Sequence, residues 1–168
     1  MDAAASTILA MRVMVVTISD RCSQGLMTDT AGPAVVALLQ AAWGDAEIAT
    51  ALLADDEPAI AQLLERESAD LVLTVGGTGL GPRDRTPEAT LRVIDRAVPG
   101  LAEAMRSVGA AKNPYAWLSR GIAGLRGTTL IVNLPGSLRG ASESLTSILP
   151  LVKHGLEVAR GGQRHPNA

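Results

Sequence analysis

The residues best suited to chemistry lie between Leu71 and Thr90, in the stretch LVLTVGGTGLGPRDRTPEAT. An apolar run ends on Gly76 and Gly77, Thr78 and Gly79 follow, and Asp84 then stands between Arg83 and Arg85. Glycine takes up positive φ without steric cost and lets a ligand approach the main chain. Successive exposed N–H groups form a nest for an anion, and a helix opening at Thr86 adds the positive end of its dipole. The loop is not a Walker loop, because no Gly-Lys-Ser/Thr follows, and its spacing is not the dinucleotide fingerprint. By itself it reads equally well as a tight turn capped by Thr86. Asp84 adds something that a turn does not require. A carboxylate beside a bound phosphate is repelled unless a cation lies between them, and Mg²⁺ fills that role with one or two carboxylates, phosphate oxygens and water. Asp55 or Asp56 is the candidate for a second acid. The competing reading is that these two only cap a helix and that Asp84 pairs with Arg83 or Arg85.

Two further loops carry the same kind of residue. In Asn133-Leu134-Pro135-Gly136-Ser137, Gly136 permits close approach, and Asn133 and Ser137 can hydrogen-bond a polar ligand. Ser19-Asp20-Arg21 reads either as a helix cap or as ligand contacts. Cys22 is a small loop residue rather than a nucleophile. Neither His154 nor His165 has a partner at motif spacing, so no catalytic triad is expected.

The elements that must position these loops alternate. Met11 to Ile18, Glu47 to Leu53, Asp70 to Val75 and Thr128 to Asn133 read as strands, with a weaker strand and turn at Gly121 to Gly127. Helices are expected after Pro33, after Asp55-Asp56-Glu57-Pro58, at Thr86-Pro87-Glu88, at Pro99, and from about Gly140 to Ala159, with Pro150 kinking or splitting the last. Strands alternating with helices predict an α/β protein with a parallel sheet covered on both faces. Ligands of such sheets sit outside the carboxyl ends of the strands, which is where all four candidate loops fall.

Composition sets the bounds. The chain of 168 residues is long enough for one domain with a real core, 47% of it is hydrophobic, and there is no Phe. A net charge of −2 gives no reason to expect nucleic acid or an acidic membrane as partner. No stretch approaches the roughly 18 apolar residues of a membrane span. One cysteine excludes an internal disulfide. The N-terminus lacks the basic start of a signal peptide. The expectation is a cytoplasmic single-domain protein over residues 1–168, with loose ends at 1–10 and 161–168.

The loops together resemble the molybdopterin adenylyltransferase family, the Mog/MoaB-type proteins of molybdenum cofactor synthesis. The resemblance rests on TISDRCSQGLMTDTAGP (Thr17 to Pro33), LADDEPAI (Leu53 to Ile60), TVGGTGLGPRDRTPEAT (Thr74 to Thr90), LSRGIAGLRG (Leu118 to Gly127) and IVNLPGS (Ile131 to Ser137), in family order along most of the chain. It implies a three-layer αβα fold with a mostly parallel sheet and a molybdopterin pocket at the glycine loop. Gly76, Gly77, Thr78 and Gly79 would bind substrate there, together with Asn133, Pro135, Gly136 and Ser137. By position, one functional acid of the family corresponds to Asp84. The other follows the second strand, usually after a Pro; Ala54 stands in that place here, which favours Asp55 over Asp56. Ser19 and Asp20 correspond to the family's S-D-R segment. The implied reaction is attack of the terminal phosphate of molybdopterin on the α-phosphorus of ATP, assisted by Mg²⁺ on Asp55 and Asp84, with release of pyrophosphate. The alternative within the family is a MoaB-type module that binds molybdopterin and hands it on. A homotrimer or dimer of trimers is also implied, with other proteins of the same pathway as partners. Leu101, Met105, Tyr115 and Trp117 form the apolar patch expected to mark the subunit interface.

Overall fold

Aliphatic runs such as RVMVVTI and LVLTV alternate too little to face water on one side, and a parallel sheet sandwiched between helices is the arrangement that buries them. A computed structural model describes residues 10–162 and shows this sheet. Its strands are β1 (Arg12–Ile18), β2 (Glu47–Leu53), β3 (Leu71–Val75), β4 (Arg96–Ala97), β5 (Ala123–Arg126) and β6 (Thr129–Leu134). They lie in the order β2-β1-β3-β6-β5-β4. The first four in that order are mutually parallel, whereas β5 runs antiparallel to β6 and β4 antiparallel to β5. The sheet is therefore mostly but not wholly parallel. The reason is local: Gly127, at φ +57, closes a hairpin between β5 and β6, and a tight turn can join only antiparallel strands.

The helices are α1 (Asp20–Ser23), α2 (Ala31–Ala42), α3 (Glu57–Arg66), α4 (Thr86–Leu91), α5 (Pro99–Ala110) and α6 (Leu138–Ala159), with a 3-10 helix at Pro114–Leu118. On one face α2, α5 and α6 pack Val35, Leu39, Met105, Leu145 and Ile148 against Val13, Val15, Leu73 and Val132 of the sheet. On the other face α3 and α4 pack Ile60, Leu64 and Ala89 against Val16, Ile18, Val72 and Ile131. This is the three-layer arrangement expected.

Two expectations need correction. The last helix begins at Leu138 and runs unbroken through Pro150. Pro150 is exposed, and so is Thr146, the residue whose carbonyl loses its donor, so no buried polar group is orphaned by the proline. Leu101 and Met105 are only 8% and 6% exposed, because α5 turns them onto the sheet and α6; of the expected patch, Tyr115 (75%) and Trp117 (59%) alone stand out from the surface. The short α1, the two-residue β4 and the 3-10 helix carry too few residues to show a period. The expected loose ends fall almost wholly outside the described residues.

The chain crosses from β2, on one side of β1, to β3 on the other. Neighbouring strands β1 and β3 thus flank a topological switch point, the crevice where sheets of this kind bind ligands. Gly76, at φ +113, enters that crevice so closely that a Cβ on it would stand 2.2 Å from the Ile18 carbonyl oxygen. No helix among the described residues is long and apolar enough to cross a membrane.

Candidate functional site

The loops after β1, β2 and β3 are tied together by their acids. The Asp20 N–H donates to Asp55 Oδ2 at 2.9 Å, and the Asp55 N–H donates to Asp20 Oδ1 at 3.0 Å. Arg83 reaches across from the glycine loop and holds Asp20 with two bonds of 2.9 Å. That guanidinium, followed by the Asp55 N–H, lowers the Asp20 carboxyl below the usual carboxylate range. Asp55 shifts the other way. Burial pushes its carboxyl up, the Asp20 N–H opposes this in part, and the negative charges of Asp20 and Asp84 push it further up. Arg83 opposes the shift only in part, so the ionised form of Asp55 is disfavoured, by burial first and by its negative neighbours second.

Asp56 does a different job. Its Oδ1 accepts the Ala59 N–H at 2.9 Å and caps α3, in the manner of acidic N-caps generally. Ser19 caps α1 by accepting the Cys22 N–H, so its hydroxyl is engaged locally, and Cys22 is buried with a free thiol. Neither arginine beside Asp84 pairs with it: Arg83 goes to Asp20, and Arg85 goes to Glu57 and Glu88. Asp84 instead turns back under its own loop, where Oδ2 accepts the Gly81 N–H at 2.8 Å.

The glycine loop presents its backbone as the sequence suggests, with one difference. Gly76 and Gly77 have positive φ, but Gly79 does not. The Gly76 N–H continues the sheet ladder to the Leu134 carbonyl at 3.1 Å, so it is not available to a ligand. The N–H groups of Gly77, Thr78 and Gly79 donate to no acceptor among the described residues. The loop's carbonyls, in contrast, are held. The Arg120 N–H donates to the Thr78 carbonyl at 2.9 Å, and its guanidinium donates to the Gly79 carbonyl at 2.8 Å, to the Asp84 carbonyl and to Glu88 Oε1. With the oxygens fixed on one side, the N–H groups are turned to the other.

They border a cleft of about 570 Å³, within the range of small-molecule sites. Gly77, Thr78, Gly79 and Asp84 form one wall; Pro135, Gly136 and Ser137 at the start of α6 form the second; Met105, Arg106 and Tyr115 form the third. The walls meet closely at Gly136, where a Cβ would lie 3.2 Å from Gly76 Cα and push the two loops slightly apart. Ser137 caps α6 by accepting the Gly140 N–H at 3.1 Å. Asn133 borders the cleft, but its side chain is spent internally, donating to Thr74 and Thr90 and accepting from Ile122. Ser19, Asp20 and Asp55 stand outside the cleft lining, and Asp84 stands in it. The site thus has two halves, a cleft bordered by the glycine loop with its unengaged N–H groups and an acid cluster.

Could the acids hold Mg²⁺? Asp55 and Asp84 are hard oxygen donors, and Asp55 Oδ1 accepts no bond among the described residues. A cation beside Asp55 would offset the burial that disfavours its ionised form. No set of three or more acidic, His or Cys side chains converges on one point among the described residues. Two carboxylates suit a cation that arrives already bound to phosphates, as Mg²⁺ does with nucleotides.

Sequence spacing does not mark Arg83 or Arg120 as site residues. Arg83 adjoins Asp84 in the chain, yet its partner is Asp20. Arg120 lies in the quoted segment LSRGIAGLRG, but nothing in its spacing tells that it folds back 41 positions onto Gly79.

The fold and the site define a class: a three-layer α/β domain with a cleft at the carboxyl ends of β3 and β6. The comparisons narrow it. Residues 14–154 match the family described as "Probable molybdopterin binding domain". The Escherichia coli protein named molybdopterin adenylyltransferase is 41% identical over 143 residues, which are 82% of this chain and 73% of that one. A molybdenum cofactor biosynthesis bifunctional protein of Synechococcus elongatus is 39% identical over 88% of this chain, which spans only 47% of the relative. The crystal structure of the molybdopterin biosynthesis enzyme MoaB from Thermus thermophilus superposes with a TM-score of 0.83 at 50% identity, covering 90% of this chain and 97% of that one. The chain belongs to the molybdopterin-binding domain family of molybdenum cofactor biosynthesis.

Proposed function

We propose that this protein adenylylates molybdopterin, using Mg-ATP and releasing pyrophosphate. The observation that carries the proposal is the division of the site into a cleft bordered by the glycine loop and an acid cluster, joined at Asp84. The unengaged N–H groups of Gly77, Thr78 and Gly79, with the N-terminus of α6, suit the terminal phosphate of a pterin. Asp55 and Asp84 would hold Mg²⁺, which when bound neutralises the nucleotide's phosphate charge. Arg83, 65% exposed at its side chain, is the cation nearest Asp20 and adds positive charge on the same side. A pterin phosphate oxygen forms a bond to the α-phosphorus of ATP, and the bond from that phosphorus to the bridging oxygen breaks. The electron pair leaves with pyrophosphate. Such a transfer needs positioning and charge neutralisation, not a covalent group on the protein. That accords with a cleft in which the Ser137 hydroxyl is engaged as the cap of α6 and the Cys22 thiol is buried away from the lining.

Incubation of the pure protein with molybdopterin and Mg-ATP tests this. Pyrophosphate release together with an adenylylated pterin is expected. Tight pterin binding without pyrophosphate would instead make the protein a binding module. We also propose that the chain acts in the cytoplasm, in keeping with its one free thiol, and as a trimer, because Tyr115 and Trp117 are left exposed beside the cleft. Light scattering at micromolar concentration checks the assembly; a monomer alone would contradict it.

A further inference from the structure

Two polar atoms near the acid cluster have no partner among the described residues. Thr86 Oγ1 is buried in a residue of 0% exposure and makes no hydrogen bond among them. Asp55 is anchored through Oδ2, by the Asp20 N–H, and none of the described residues bonds its Oδ1. Both atoms face the same small space over Gly77. A Cβ placed on Gly77 would stand 2.2 Å from Thr86 Oγ1 and 3.0 Å from Asp55 Oδ1. One is a hydroxyl, able to donate; the other is a carboxylate oxygen, able only to accept while ionised. The space between them exists because residue 77 has no side chain.

A buried hydroxyl with no partner is costly, and such groups persist in native proteins where a ligand, water or functional contact answers them. Thr86 is not kept for a structural bond, since its backbone N–H already donates to the Gly77 carbonyl at 3.1 Å and its hydroxyl contributes nothing further to the fold. We infer that Thr86 is a positioning residue for Asp55: its hydroxyl donates toward Asp55 Oδ1 and fixes the rotation of that carboxylate when it takes the Mg²⁺ of the nucleotide. Anchored at one oxygen only, the carboxylate can swing; anchored at both, it presents its remaining lone pairs in one direction. This rests on the proposed use of Asp55 and deepens it by naming the group that aims it. Hydroxyl and carboxamide groups that orient metal-binding residues typically matter by 10–100-fold in metal affinity or activity.

The test compares Thr86→Val, Thr86→Ser and the unaltered protein. Valine keeps the shape and removes only the hydroxyl, so a hydroxyl with no role predicts an unchanged or raised melting temperature and no other effect, and a structural role predicts a lowered melting temperature. The positioning role predicts the same melting temperature and the same pterin affinity. It also predicts Mg²⁺-dependent binding of a non-hydrolysable ATP analogue weakened by about tenfold in calorimetry. Serine, which restores the hydroxyl, should recover most of that loss. Wild-type analogue binding by Thr86→Val would overturn the inference. So would a parallel fall in melting temperature, pterin affinity and analogue binding. If the unaltered protein binds no Mg-nucleotide while still binding pterin, the proposed adenylylation fails, and the role given to Thr86 fails with it.

Discussion

Asp20 and Asp55 hold each other's backbones: the N–H of each donates to the carboxylate of the other, at 2.9 and 3.0 Å. The pair locks the loop after β1 to the loop after β2, and Arg83 locks both to the loop after β3. Arg83 hydrogen-bonds Asp20 and not Asp55. At Asp55, burial together with the negative charges of Asp20 and Asp84 outweighs the Asp20 N–H and the charge of Arg83, and the carboxyl is held above the ordinary range.

That imbalance predicts a pH effect. In the unfolded chain Asp55 ionises at its ordinary value, and in the folded protein it ionises at higher pH. As pH rises through that window the folded state loses stability relative to the unfolded one. Asp55→Asn keeps an oxygen to accept the Asp20 N–H and removes the charge. Its melting temperature should exceed that of the unaltered protein at neutral pH, and the difference should shrink once pH falls below the ordinary carboxylate range. Mg-ATP should stabilise the unaltered protein more than Asp55→Asn. Thermal melts across pH, with and without Mg-ATP, check both statements.

Asp56 should behave as a cap. Asp56→Asn is expected to be near neutral in stability and turnover, whereas Asp56→Ala should cost about 1 kcal/mol of stability and leave turnover intact. Denaturant titration and steady-state rates read the two separately.

Gly77 and Gly79 should differ. Gly77→Val meets positive φ and a Cβ contact of 2.2 Å with Thr86 Oγ1, so pterin binding should be abolished in a folded protein. Gly79 is not in the left-handed region, and its Cβ would meet Asp84 Oδ2 at 2.9 Å. A carboxylate can move aside, so Gly79→Ala should disturb turnover through Asp84 more than it disturbs pterin affinity. Paired binding and rate measurements on the two variants show whether the loop has these two functions.

Arg120 holds the carbonyls of Gly79 and Asp84 and the carboxylate of Glu88, which it lowers below its usual pKa. Arg120→Ala should cost about 2 kcal/mol of stability and reduce pterin affinity, because the nest loses the clamp that aims its N–H groups. Arg120→Lys keeps the charge but cannot reach three acceptors in a plane, so it should recover stability better than affinity.

Much of this was legible in the sequence because the chemistry sits where strands end. Unbroken aliphatic runs marked β1 and β3, Glu47 to Leu53 was bounded correctly as β2, and Gly76-Gly77 punctuated the switch point. The resemblance alone favours Asp55 over Asp56, while capping, which spacing allows for either acid, is done by Asp56. What stayed hidden was long-range. Asn133 looked like a ligand contact, but a buried Asn beside Thr74 and Thr90 satisfies itself within the core. The antiparallel β5 depends on a hairpin whose Gly127 resembles any other turn glycine. Arg120 and Thr86 matter only through contacts that the chain's path creates.

The central claim is that the glycine loop holds the pterin while the acids hold the metal-bound nucleotide, and Asp84→Asn separates the two most directly. Asparagine preserves size and the acceptor for the Gly81 N–H, and removes only the charge. Pterin titration and pyrophosphate release should be measured on the same preparation of this variant. The account predicts pterin affinity close to that of the unaltered protein, with turnover reduced by about 10²–10³-fold. Near-normal turnover by Asp84→Asn would contradict it.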